Sequence, residues 1–361
     1  MKNIEIQVYR DLQKHLDELP IGYPPTESGV EIRILKHLFT PDEAKLATQL
    51  SWSPESARLI HRRVKKTGMS QEELEQMLDS MFNKGLISRR TEHGEILYSN
   101  AVLALGMYEY QVNRLTKAFL EDFEQYLNEA FLFEAGRTGI QQMRTIPVEK
   151  SVPHEYHISD YDSVRRIVDN IDGPFAVSNC ICRQHKDIMG ESCSQSDIRE
   201  VCLQFRGEAE NYIRRGIGRP ISKDEVFDIL KKAQEAGFVL QPGNSQQTDF
   251  ICCCCGDCCG MLTVAKKFPR PADFYATNHF AEVDPVLCSG CEDCVDRCQL
   301  DAMEMRNDMA TVNLDRCIGC GNCVAICPAD AITLHKKETE LVPPKDTDEL
   351  YANILAKKLE G

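Results

Sequence analysis

The chain reads as helical stripes up to about residue 140 and as short apolar runs broken by cysteines beyond it. Residues 3–19 set Leu12, Leu16 and Leu19 on one helical face before Pro20, Pro24 and Pro25 interrupt. A second helix is expected over 29–39. A third starts at Thr40-Pro41-Asp42-Glu43, where threonine caps and proline takes the first helical position. A helix over 54–66 ends at Thr67-Gly68. Ser70 then opens another, with Glu73 completing a Ser-x-x-Glu box and Leu74, Met77, Leu78, Met81 and Phe82 on one face. Gly85 stops it. Residues 86–90 and 96–99 read as two strands joined by Thr91-Glu92-His93-Gly94-Glu95. A long helix over 107–133 follows, whose stripe of Val112, Leu115, Phe119, Phe123, Tyr126 and Ala130 suits core packing or a homodimer.

Ile146-Pro147-Val148 and Phe175-Ala176-Val177 predict short buried strands around a helix over 161–170. The second runs into Cys180-Ile181-Cys182-Arg183. Extended residues two apart face the same side, so Cys180 and Cys182 can meet one metal. Arg215-Gly216-Ile217-Gly218-Arg219 predicts a loop. Ser222 and Glu225 box a helix that runs to 235, with Gly237 as its stop. Residues 302–306 and 310–313 predict a hairpin about Asn307-Asp308. Beyond Pro343-Pro344, Asp346 caps a last helix whose Leu350, Ile354, Leu355 and Leu359 suit docking.

Composition narrows the setting. At 361 residues, two or three domains are expected. Eighteen cysteines, with no apolar leader at residues 1–10 and no run long enough to span a bilayer, predict thiols that hold metal in a cytoplasmic, reducing setting. The net charge of −14 disfavours non-specific nucleic-acid binding and suits docking to a basic patch on a redox partner.

The cysteine spacing is the strongest signal. Cys288-x2-Cys291-x2-Cys294-x3-Cys298 recurs as Cys317-x2-Cys320-x2-Cys323-x3-Cys327-Pro328. Gly290, Gly319 and Gly321 permit the tight coiling this needs. Residues 282–335 resemble two-[4Fe-4S] bacterial-type ferredoxins, in which the fourth cysteine of each half ligates the other half's cluster. That resemblance implies one cube on Cys288, Cys291, Cys294 and Cys327, and a second on Cys298, Cys317, Cys320 and Cys323. It implies two interlocked halves, each with a helix after its fourth cysteine and a short hairpin. Gln299 departs from the pattern, which has proline there. Paired zinc sites are the competing reading, but zinc loops rarely set four cysteines within eleven residues twice over.

Ten further cysteines lie outside this run: Cys180, Cys182, Cys193, Cys202, Cys252, Cys253, Cys254, Cys255, Cys258 and Cys259. Six thiols in eight residues predict a metal centre there. A [4Fe-4S] centre using Cys180 and Cys182, completed by Cys193 and Cys202 or by the 252–259 run, is the leading expectation. Two further cubes, a less regular cluster, or one cluster plus a zinc also fit. Arg183 and His185 would raise a cluster's potential if they lie beside it, and are surface residues otherwise.

Residues 53–100 resemble a winged helix-turn-helix domain. Its second helix, which would meet DNA bases, instead presents Glu72, Glu73, Glu75 and Asp79. Arg62, Arg63, Lys65, Lys66, Arg89 and Arg90 flank it. Protein docking is therefore expected over nucleic-acid binding. The order of segments is similar to large 4Fe-4S-binding proteins of anaerobic bacteria, which implies electron transfer.

The expected fold is α+β multidomain: a helical winged-helix-like domain with a long trailing helix (1–140), a central cysteine-rich α/β domain (141–275), a ferredoxin-like dicluster domain (276–338), and a linker with a C-terminal helix (339–361). An electron carrier or electron-entry subunit is the expected function, ahead of a redox-sensing regulator and a reductase subunit acting at the polycysteine site. No acid–base dyad, nucleophile triad or dinucleotide fingerprint is visible.

Overall fold

The computed structural model describes residues 2–152 and 158–360. The chain forms two compact units, one of residues 1–140 with 211–218 and 351–361, the other of residues 141–210 with 219–350.

In the first unit, α1 (Lys2–Asp17), α2 (Val30–Leu38) and α3 (Pro41–Ala47) bury Leu12, Leu16, Ile34 and Leu35. Thr40 and Glu43 form a complete capping box at α3. Helix α4 is shorter than expected (Ala57–Val64), because β1 (Glu55–Ser56) pairs with β3 instead of joining the helix. Helix α5 (Gln71–Asn83) carries the Ser70–Glu73 box and buries Leu74, Leu78, Met81 and Phe82. Strands β2 (Ile87–Glu92) and β3 (Glu95–Asn100) complete an antiparallel sheet of order β1-β3-β2. Their connection tightens to His93-Gly94, both at positive φ, the geometry of a two-residue hairpin turn.

The long helix expected over 107–133 is interrupted. Asn113 has φ 66°, and Thr116 accepts from the Phe119 N–H at 3.3 Å, so α6 starts only at Lys117 and runs to Tyr126. A π-helical stretch, Leu127–Phe131, leads into α7 (Leu132–Gly136). Phe119, Phe123 and Tyr126 are buried within this unit. Tyr108 stacks on Phe123 with ring centroids 3.9 Å apart, and Tyr126 lies 4.8 Å from Tyr23.

The second unit is built on a five-stranded sheet. Helix α8 (Val164–Asp169) precedes β4 (Phe175–Asn179), and α9 (Ile181–Met189) precedes β5 (Glu200–Phe205). Then come α10 (Arg206–Arg214), whose residues from 211 on belong to the first unit, β6 (Arg219–Ile221), α11 (Lys223–Glu235), β7 (Val239–Pro242) and β8 (Phe250–Cys254). The order is β6-β4-β5-β8-β7, and every pairing is antiparallel. This corrects the α/β expectation, which implies parallel strands joined by crossover helices. Ile146-Pro147-Val148 is buried but forms only a bridge from Ile146 to Leu240, since Pro147 has no N–H to extend a ladder. One face of the sheet buries Val177, Leu203, Leu240, Ile251 and Cys253 with Val226 and Leu230 of α11.

After α12 (Gly260–Ala265), β9 (His279–Val283) opens the ferredoxin-like part. Helices α13 (Asp293–Arg297) and α14 (Asn322–Ile326) each contain the third cysteine and end before the fourth, not after it as expected. Strands β10 (Met303–Arg306) and β11 (Met309–Val312) form the expected hairpin, with Asn307 and Asp308 both at positive φ. Among the described residues, no second local hairpin forms: β12 (Ile332–Lys336) reaches back to pair with β9. In α15 (Thr347–Glu360), Asp346 Oδ1 accepts from the Glu349 N–H at 3.0 Å, and Leu350 and Ile354 are buried. Among the described residues, no helix is long and apolar enough to cross a membrane.

Candidate metal centres

Two pockets in the ferredoxin-like part are each lined by four cysteines. The first is lined by Cys288, Cys291, Cys294 and Cys327. The second is lined by Cys298, Cys317, Cys320 and Cys323. Each pocket thus takes three thiols from one half and the fourth from the other. The left-handed glycines are required on two counts. A Cβ on Gly319 (φ 63°) would lie 2.2 Å from the His279 carbonyl, and one on Gly290 (φ 70°) would lie 2.6 Å from that of Asp308. Backbone N–H groups already point at sulfur: Ala302 N to Cys298 Sγ at 3.1 Å, and Ala310 N to Cys288 Sγ at 3.4 Å. Burial pushes Cys294 up to about 11 and Cys320 up to about 12, as expected where thiolates need a cation to ionise. Cys291 of the first pocket is exposed.

The polycysteine stretch is divided by the alternation of β8. Cys252 and Cys254 face one side of the sheet, beside Cys202, which pairs directly with Cys252. Cys253 faces the other side, opposite Leu240, and is buried in the apolar core as a small hydrophobe. Cys180 and Cys182 come together, but not as residues of one strand. Strand β4 stops at Asn179, and Cys180 is the N-cap of α9, with Cys182 in that helix's first turn.

These thiols close a ring. Cys180 contacts Cys182 and Cys202; Cys182 contacts Cys259; Cys259 contacts Cys254; Cys254 contacts Cys252; and Cys252 contacts Cys202. Their acidities alternate around it. Cys180, Cys259 and Cys252 are stabilised as thiolates by S–H groups on either side, Cys252 at about 6, while Cys182, Cys254 and Cys202 are pushed up as the donors. Six thiolates, each beside two others, can all ionise only around added positive charge. The ring therefore fits a polynuclear metal centre.

Two buried side chains beside it, Arg183 and Tyr275, keep N–H or O–H groups without an oxygen or nitrogen partner. Arg183 is 0 % exposed; its Nη2 donates to the Cys253 carbonyl at 3.3 Å, and its guanidinium stacks 4.0 Å from the Phe238 ring centroid. Its Nε and Nη1 have no such partner, and neither has the buried Tyr275 hydroxyl beside Cys259 and Cys254. Arg183 opposes its own desolvation through the charge of Cys180, Cys255 and Cys254. Arg183 and His185 are both buried, not surface residues.

Cys193, Cys255 and Cys258 stand apart from the ring and gather with Asp257. Asp257 was not singled out from the sequence; its one signal is an acid inside Cys255-Gly256-Asp257-Cys258.

A family model described as a 4Fe-4S dicluster domain matches residues 281–328, which supports iron–sulfur electron transfer. No curated protein matches the chain.

Proposed function

We propose that the protein is an iron–sulfur electron carrier, or the electron-entry subunit of an anaerobic oxidoreductase system, working in the cytoplasm. Cys288, Cys291, Cys294 and Cys327 hold one [4Fe-4S] cluster, and Cys298, Cys317, Cys320 and Cys323 hold the second. The six-thiol ring holds a third, larger centre. Thiolate-bound clusters of this kind supply one-electron transfer at low potential.

One observation carries this reading. Cys254 and Cys259 of the ring share a hydrophobic cluster with Cys320 of the second pocket, and cysteines of both pockets share another. The chain thus keeps three thiol sites in consecutive apolar surroundings. The amides of Ala302 and Ala310 and the Arg183 guanidinium stabilise the more negative, reduced state of the sites they face.

The pocket that carries the exposed Cys291 is the docking end. Val286 is 89 % and Leu287 52 % exposed next to Cys288, and the exposed acids Asp284, Glu292 and Asp293 lie within a few residues in sequence. Apolar contact within an acidic rim suits a redox partner with a basic surface. Nucleic acid has no part in this reading. Arg89 pairs with Asp79 at 3.7 Å, Arg90 with Glu92 at 2.7 Å, and Arg63 Nη1 with Glu55 at 3.0 Å, which lowers the positive charge open to phosphate.

Anaerobic purification with iron, sulfide and EPR analysis tests the proposal. Twelve or more irons per chain, roughly, and three reducible signals are expected for two cubes and the ring. Fewer than about eight irons, with zinc in the ferredoxin pockets, would sink it.

A further inference from the structure

The ten cysteines outside the ferredoxin run do not form one site. We infer that Cys193, Cys255, Asp257 and Cys258 bind a single zinc ion, separate from the six-thiol ring and independent of the electron-transfer reading.

The distances decide between one ion and a cluster. A tetrahedral zinc with Zn–S bonds near 2.3 Å and Zn–O near 2.1 Å sets sulfur pairs about 3.8 Å apart and sulfur–oxygen pairs about 3.6 Å apart. Cys193 Sγ lies 3.8 Å from Cys255 Sγ and 3.6 Å from Asp257 Oδ1. All four donor atoms lie within 4.8 Å of one another. An iron–sulfur cube would place its own iron and sulfide between its thiolates and hold them farther apart. Among the described residues, this is the one group of three or more ligating side chains that close together. The ring thiols touch their neighbours but span a wider opening.

The carboxylate is oriented for the task. Asp257 Oδ2 accepts from the Ser194 N–H at 2.8 Å and pairs with Ser194 Oγ at 3.1 Å, which turns Oδ1 towards Cys193. Cys255 and Cys258 are buried, while Cys193 and Asp257 are half-buried. Four protein ligands with no open position are the mark of a structural zinc. Three thiolates and a carboxylate around Zn²⁺ leave a net charge of −2, and the buried Arg183 guanidinium beside Cys255 offsets part of it. Such an ion would pin the 191–199 segment to the turn at Gly256 and take no electrons itself.

Zinc-edge X-ray absorption on the anaerobically purified full-length protein is the direct test. It should show about one zinc per chain with three sulfur neighbours and one oxygen. Cys193→Ser and Asp257→Asn should each lower bound zinc severalfold while iron content stays unchanged. Wild-type protein with less than about 0.2 zinc per chain overturns the inference. So does loss of iron in Cys193→Ser, which would assign these thiols to an iron site. If a variant fails to fold, the wild-type spectrum still decides: a shell of four sulfurs, or of light atoms alone, overturns it.

Discussion

Gln299 Oε1 accepts a 2.6 Å hydrogen bond from the Gly256 N–H, joining the residue after Cys298 to the turn of the polycysteine stretch. Gln299 is the residue that replaces the ferredoxin proline, and proline could not make this bond. The approach is close. A Cβ on Gly256 would lie 2.3 Å from the Gln299 carbonyl oxygen. Gln299→Leu leaves a buried N–H unpaired and should cost about 1–3 kcal/mol. Gly256→Ala should cost a similar ~1–3 kcal/mol through overpacking. Anaerobic denaturant unfolding measures both, and wild-type stability in either variant would refute the contact's importance.

The pocket linings predict which variants share a phenotype. Cys298→Ser should perturb the same EPR signal as Cys317→Ser, and Cys327→Ser the same signal as Cys288→Ser. If Cys298→Ser instead matched Cys288→Ser, the exchange of fourth cysteines between the pockets would be wrong.

Arg183 is fully buried against thiolates, so removing its charge should be felt electrically. Arg183→Gln should make the reduction potential of the centre proposed for the ring more negative by on the order of 100 mV, as one charge at contact range implies. Redox titration followed by EPR reads this. The ferredoxin-pocket potentials should move much less.

Asp249 gives a pH test away from the thiols. Burial raises it to about 6, against about 4 in an unfolded chain, while Thr347 Oγ1 donates to its Oδ2 at 2.9 Å. The folded state therefore holds its proton to higher pH than the unfolded state. The associated stability is fully present below about pH 4 and is lost as pH rises through about 6. Asp249→Asn should stabilise the protein by ~1–2 kcal/mol at pH 7.5 and by less at pH 5. An equal gain at both pH values would show that the carboxyl does not titrate this way.

Helix starts were legible wherever a local signal set them. Thr40, Ser70, Ser222 and Asp346 all cap as their spacing implies, because a cap is decided within four residues. The sequence predicts one unbroken helix over 107–133 because an apolar stripe carries no mark of Asn113 entering the left-handed region. Nothing local marks Asp257, because its contact with Cys193 joins residues far apart in the chain.

By itself the sequence determined that residues 288–327 form two cysteine sets, since a spacing of two and three residues is local chemistry read directly from the chain. The fate of the other ten thiols was decided only by the tertiary structure. Period-two alternation says that Cys252 and Cys254 part from Cys253, but not what waits on either face. Pairing of β8 with β5 brings Cys202 to the first pair, and the start of α9 brings Cys180 and Cys182. A metal site needs ligands close in space, and here strand order and a helix cap supply that closeness, with sequence distance playing no part.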